Sequence, residues 1–209
     1  MNPPLIVEPA RTEDLAPAFR LLFQHSSAEE RSARIANALE LVRQGALDPT
    51  GVLVARAPEG LRGVIVCMPV PGAGGLVWPP QVQHTAHSTE LEDLLVRRAC
   101  DWLRQTGSKL AQCLLAAHEQ ALAAPLERNG FRHVTRLWYM RHELELPLGL
   151  IQSPSRCRFQ AFAECDPSLF ASTLLRTYEG TQDCPELNGV RTIAEILEGH
   201  KSQGRHDPH

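Results

Sequence analysis

The chain has no apolar run approaching the ~18 to 20 residues that a membrane-spanning helix needs. Its opening residues, MNPPLIVEPA, carry neither a basic stretch nor the long apolar core of an export signal. A cytoplasmic location without a membrane partner is therefore expected. Charge of one sign is also missing: the formal net charge is -3 over 209 residues and the basic residues are scattered, which leaves no electrostatic footprint for nucleic acid. Six cysteines (67, 100, 113, 157, 165 and 184) show no C-x-x-C spacing and read as free thiols packed in the interior. Nine histidines are present without H-E-x-x-H or comparable ligand spacing; His84 and His87 fall on a loop, and His200, His206 and His209 near the end of the chain. No metal is expected.

What is present suits one complete domain plus a smaller unit, with ample length for a core. Ile6 and Val7 read as a short strand, and Thr12 reads as an N-cap before Glu13 and Asp14. Leu15, Phe19, Leu22 and Phe23 follow at helical spacing. Ser27 and Glu30 have capping-box spacing and open a second helix with Ile35, Leu39 and Val42 on its apolar side. Residues 51–56 and 61–70 are β-branched runs joined by a Pro and Gly turn, so they predict an antiparallel hairpin.

After the Gly-rich stretch 71–75, Val77 and Trp78 belong to a strand that Pro79 and Pro80 must interrupt. Leu91, Leu94, Leu95, Ala99, Trp102 and Leu103 then mark one face of a long helix from Ser88 or Thr89 to near Gly107. Residues 109–116 predict a strand, residues 118–128 a short helix stopped by Asn129 and Gly130, and residues 132–135 and 137–144 two final strands.

The order β-α-α-β-β-β-α-β-α-β-β, with Leu126-Glu127-Arg128-Asn129-Gly130-Phe131 closing the last helix, resembles the GNAT N-acetyltransferases over about two-thirds of the chain. The resemblance implies an α/β fold with a mixed sheet over residues 1–146. It also implies transfer of an acetyl group from acetyl-CoA, as co-substrate, to the amine of a small molecule or protein. In that chemistry a neutral amine attacks the thioester, backbone N–H groups hold the oxyanion, and the departing thiolate is protonated.

The resemblance assigns cofactor contacts to Val77, Trp78 and the loop from Val82, Gln83, His84, Thr85 and Ala86 to His87, Ser88 and Thr89. The family's pyrophosphate loop is glycine-rich and leads into a helix N-terminus. In this chain the loop has no glycine. Either the hydroxyls of Thr85, Ser88 and Thr89 and the rings of His84 or His87 meet the phosphates, or Ser88 or Thr89 caps the helix and the histidines are solvated. Glu90, Glu92 and Asp93 oppose an anion there. The tyrosine that many relatives use as the acid corresponds to Leu126, which cannot protonate a thiolate; Tyr139, His142 and Glu179 are alternatives by residue chemistry. The catalytic residue is left unassigned.

Residues 147–156 have linker composition. Residues 157–162 then predict a strand, Asp166-Pro167 a capped helix, and Thr192 with Glu195 another. This piece, 157–209, is similar to the opening of a second GNAT domain in tandem enzymes of the mycothiol-synthase type. Its expected role is to dock on the first domain or on another copy in a homodimer, or to line the acceptor side with Tyr178, Glu179, Asp183 and Glu186. The competing expectation for the whole protein is a non-catalytic GNAT-like module kept for binding or assembly.

Overall fold

The computed structural model describes residues 6–83, 87–138, 140–141, 143, 160–181 and 184–202. The chain forms two compact units, Met1–Arg132 and His133–His209.

The first unit is a mixed α/β sheet with helices on both faces. The strands β1 (Val7–Pro9), β2 (Val52–Ala57) and β3 (Gly60–Val70) are antiparallel neighbours, and β4 (Gly74–Val77) continues the antiparallel order. After the Pro pair, β5 (Gln81–Val82) resumes against β3. The last strand, β6 (Leu110–Gln112), lies parallel to β4.

Alternation along the strands divides the core. Val52, Val54, Val64 and Val66 pack under α1 (Leu15–Leu22) and α2 (Ala28–Arg43) with Leu15, Ala18, Phe19 and Leu22. Leu53, Ala55, Ile65, Cys67, Val77 and Val82 face the other way, against Leu91, Leu95, Val96, Ala99 and Leu103 of α3 (Ser88–Gln105) and Leu126 of α4 (Ala124–Arg128). Each fully buried aliphatic or aromatic side chain contributes about 1.5–3 kcal/mol by leaving water.

Close approach of α3 to the sheet depends on glycine. A Cβ on Gly75 would stand 2.8 Å from Leu103 Cδ2, and one on Gly63 2.9 Å from Leu95 Cδ1. Burial pushes the Cys67 thiol up to about 12, so it behaves as a packed apolar group.

The α2 capping box forms as the sequence predicts, with Ser27 accepting from the Glu30 N–H. The α4 stop forms too: Gly130 takes φ 91° and the Phe131 N–H donates to the Leu126 carbonyl at 3.1 Å.

Several expectations are corrected. Thr12 does not cap α1; it opens a 3-10 turn, Thr12–Asp14, in which the Asp14 carboxylate accepts from the Arg11 N–H at 2.8 Å and pairs with Arg56. The strand expected over 109–116 shortens to β6, which pairs with β4 only from Leu110 to Gln112 although β4 runs on to Val77. The helix expected over 118–128 is a 3-10 segment, Ala117–Ala123, followed by α4. Residues 132–138, 140, 141 and 143 hold no strand, although two were expected over 132–135 and 137–144. Of the strand expected over 157–162, residues 157–159 lie outside the described residues, and Phe162 begins a 3-10 turn, Phe162–Glu164.

The second unit, among its described residues, is helical. Asp166 caps α5 (Pro167–Tyr178), accepting from the Ser168 and Leu169 N–H groups, and Thr192 caps α6 (Ile193–Lys201). Phe162 meets Phe170 edge-on at 4.9 Å and lies under the Lys201 ammonium at 4.8 Å. No helix among the described residues is long and apolar enough to cross a membrane.

Candidate functional site

The site begins with two prolines. Val77 pairs with Cys67 and Gln81 pairs with Val64, so Trp78, Pro79 and Pro80 stand opposite only Ile65 and Val66. That extra residue is a bulge, and proline cannot donate across it. The Trp78 N–H still reaches the Val66 carbonyl at 2.9 Å. Beyond the bulge β5 pairs with β3 alone among the described residues, whereas β6 pairs with β4 only as far as Leu76 and Gln112. The sheet therefore opens between the continuation of β4 and the continuation of β6.

A cleft of about 90 Å³ lies at this opening. Gln24 and His25, which follow α1, line it from one face of the sheet. Glu92 of α3, Ala121, Leu122 and Pro125 line it from the other, and Pro80, Gln81 and Val82 form its sheet wall. It is thus bordered by groups from both faces. Gln81 is buried, and its side-chain oxygen accepts from Gln24 Nε2 at 3.1 Å. Arg31 fixes the turn that carries Gln24 and His25: its guanidinium donates to the carbonyls of Phe23 at 3.2 Å, Gln24 at 2.7 Å and Ser26 at 2.9 Å.

The start of α3 is adjacent to this cleft through Glu92. Arg128 binds Glu92 at 2.7 Å and Asp93 at 2.9 Å, and Asn129 Nδ2 also donates to Asp93 at 2.9 Å. Two of the three carboxylates that oppose an anion at this helix start are therefore compensated by the end of α4.

The residues predicted for the site separate on inspection. Val82 lines the cleft; Val77 is buried under α3; Trp78 packs with the α1 and α2 face and leaves the cleft open. Gln83 is exposed, its N–H donating to the Arg62 carbonyl at 2.8 Å. His84, Thr85 and Ala86 lie outside the described residues. His87 is the residue before α3 and supplies no side-chain cap; its ring is 3.9 Å from Glu90. The Ser88 hydroxyl donates to the Gln83 carbonyl at 3.5 Å, and Thr89 is exposed. Leu126 is buried in the core.

Tyr178 and Glu179 end α5 in the second unit, where the Tyr178 hydroxyl is 3.2 Å from His200 Nε2, and Glu186 is exposed in a 3-10 turn. Tyr139, His142 and Asp183 lie outside the described residues. Gln24, His25, Gln81, Ala121 and Pro125 escaped the sequence reading. The Pro79-Pro80 break was the one signal of where the sheet opens.

No family model matches the sequence, and no curated protein matches it. Solved structures do. The chain is similar to a GCN5-related N-acetyltransferase from Ralstonia eutropha, with TM-score 0.51 and 16% identity over 66% of this chain and 99% of that one. It carries the GNAT fold. A ribosomal-protein-alanine N-acetyltransferase from Brucella melitensis matches the same fold at TM-score 0.53 and 15% identity, covering 67% of this chain and 100% of its own. A transcriptional regulator from Bacillus halodurans does so at TM-score 0.53 and 14% identity, covering 66% and 100%. Identities this low establish the GNAT architecture, a mixed sheet flanked by helices, and leave activity to be argued from the site.

Proposed function

We propose that this protein is an acyl-CoA-dependent N-acetyltransferase in which acetyl-CoA approaches from the α3 and α4 face and an amine from the α1 and α2 face. The observation that carries this reading is the cleft at the sheet opening, lined by Gln24 and His25 on one side and by Glu92, Ala121, Leu122 and Pro125 on the other. Two reactants held on opposite faces of a sheet can meet only through such an opening.

The chemistry asks little of the side chains. A neutral amine attacks the thioester carbonyl, the C–S bond breaks, the amine nitrogen loses a proton and the thiolate gains one. Holding the two groups in line supplies much of the rate through proximity. The Gln83 N–H donates to β3, so by strand alternation the Val82 N–H faces away from it and is the donor β5 offers the oxyanion. At the α3 start, Arg128 and Asn129 compensate Glu92 and Asp93, which suits a diphosphate better than the bare sequence does.

The second reading, a GNAT-like module kept for binding or assembly, is favoured by a separate observation. The cleft is about 90 Å³, below the ~300–1,000 Å³ of most small-molecule pockets. Release of CoA thiol from acetyl-CoA in the presence of polyamine, aminoglycoside and peptide α-amine acceptors separates the two. Amine-dependent release is the expected result; binding of acetyl-CoA without release to any acceptor class would favour the module.

A further inference from the structure

Gln81 carries an amide that the fold leaves half used. It stands opposite Val64, whose side chain belongs to the α1 and α2 layer of the core, so by strand pairing Gln81 points to that face too. There its Oε1 accepts from Gln24 Nε2 at 3.1 Å, and the same nitrogen is 3.5 Å from the Val82 carbonyl oxygen. These two acceptors set the nitrogen end of Gln24 against the oxygen end of Gln81, which leaves the Gln81 NH2 without a partner among the described residues. Gln81 is only 5% exposed, and buried amides are ordinarily satisfied at both ends. Among the described residues Arg191 Nε is the one side-chain polar atom both sealed from solvent and unpaired, so the Gln81 NH2 opens onto the cleft that this residue lines.

The other groups around the cleft narrow what this NH2 can meet. The one carboxylate lining it is Glu92, on the opposite face of the sheet, and Arg128 already binds Glu92 at 2.7 Å. The second ammonium of a polyamine would find no free counter-charge there, whereas an oxygen would find the Gln81 NH2. A cleft of about 90 Å³ admits only the reacting end of an acceptor, which puts that oxygen within a few bonds of the amine.

We propose that Gln81 selects the acceptor: the substrate is a primary amine with a hydroxyl or carbonyl oxygen beside the nitrogen, and the Gln81 NH2 donates to that oxygen. The assignment rests on the acyl-transfer reading and gives its amine face a substrate class. Gln81 positions the acceptor and takes no part in proton transfer. Because Gln24 holds the other end of the amide, the donor is oriented before the acceptor arrives. An amine lacking the oxygen leaves that donor unpaired, which is how a buried polar group discriminates.

The test is kcat/KM for release of CoA thiol from acetyl-CoA to ethanolamine, glycinamide, propylamine and spermidine, in wild type and in Gln81→Met. Wild type should prefer ethanolamine, if the oxygen is a hydroxyl, or glycinamide, if it is a carbonyl, over propylamine. Propylamine is the more basic amine, so the preference is read as its change between the two proteins. In Gln81→Met it should fall about 10-fold at unchanged acetyl-CoA affinity. Gln81→Glu keeps an oxygen for Gln24 and replaces the NH2 with a carboxylate oxygen, so it should shift the preference toward spermidine; it carries the test if the methionine variant does not fold. A preference unchanged in a folded variant, or spermidine as the best acceptor of wild type, would overturn the assignment and leave acyl transfer standing. Release to none of the four amines would also overturn it. If the polyamine, aminoglycoside and peptide acceptors give no release either, the acyl-transfer reading falls with it.

Discussion

Among single residues, Arg56 does the most to hold the start of the fold. Its guanidinium grips both carboxylate oxygens of Asp14 and reaches Glu8 at 2.6 Å, so β1, β2 and the turn into α1 share one charged clip. Asp14 is buried, and the Arg56 hydrogen bonds hold its carboxyl below the ordinary value of 3.8 against the opposing effect of burial. A carboxyl depressed in the folded state stabilises fully above its unfolded value. That contribution is lost as pH falls from 3.8 through the lower folded value. Asp14→Asn should therefore cost about 1–3 kcal/mol at neutral pH. In urea titrations at a series of pH values, the difference from wild type should shrink below pH 3.8. A difference that is flat with pH would mean that packing, not charge, holds this corner.

Between elements, glycine and charge set how closely neighbours approach. A Cβ on Gly51 would stand 2.1 Å from the Cys67 carbonyl oxygen, a backbone atom, whereas one on Gly75 meets only the end of the Leu103 side chain. Gly75→Ala should cost about 1–3 kcal/mol by overpacking and Gly51→Ala more, as thermal unfolding of the two variants would measure. Arg128→Ala leaves Glu92 without its counter-charge and Asp93 with only the Asn129 amide at the start of α3. Acetyl-CoA should then bind about 2- to 5-fold more weakly, with the loss shrinking at high salt. An unchanged affinity would show that the helix start does not meet the phosphates.

Helices were the legible part of the sequence at this scale. Leu15, Phe19 and Leu22, and Leu91 to Leu103, carry their period internally, and Ser27 with Glu30 or Asn129 with Gly130 mark ends through local hydrogen bonds. Strands were less so. Residues 134–138 have the β-branched and aromatic content of a strand, yet a strand exists only where another backbone pairs with it, and nothing within the segment encodes that partner.

At the level of the whole molecule, the GNAT architecture was readable because element order and the 126–131 helix stop are sequential features. The candidate site was not, because its walls come from residues 24–25, 80–82, 92 and 121–125, which only the folded sheet brings together. The loop from Gln83 to Thr89 drew attention through what it lacks, while the Gln24 and Gln81 amides carried no local signature. Acetyl transfer as proposed above requires the opening beside β5 to admit acetyl-CoA. Ala121 is exposed on its rim, so Ala121→Trp should block the cleft without touching the core. The decisive measurement is calorimetric titration of acetyl-CoA into wild type and Ala121→Trp, with melting temperature as a control on folding. Micromolar binding to wild type, lost in the variant at an unchanged melting temperature, is the predicted result; no heat at millimolar acetyl-CoA, or equal binding to both proteins, would contradict it.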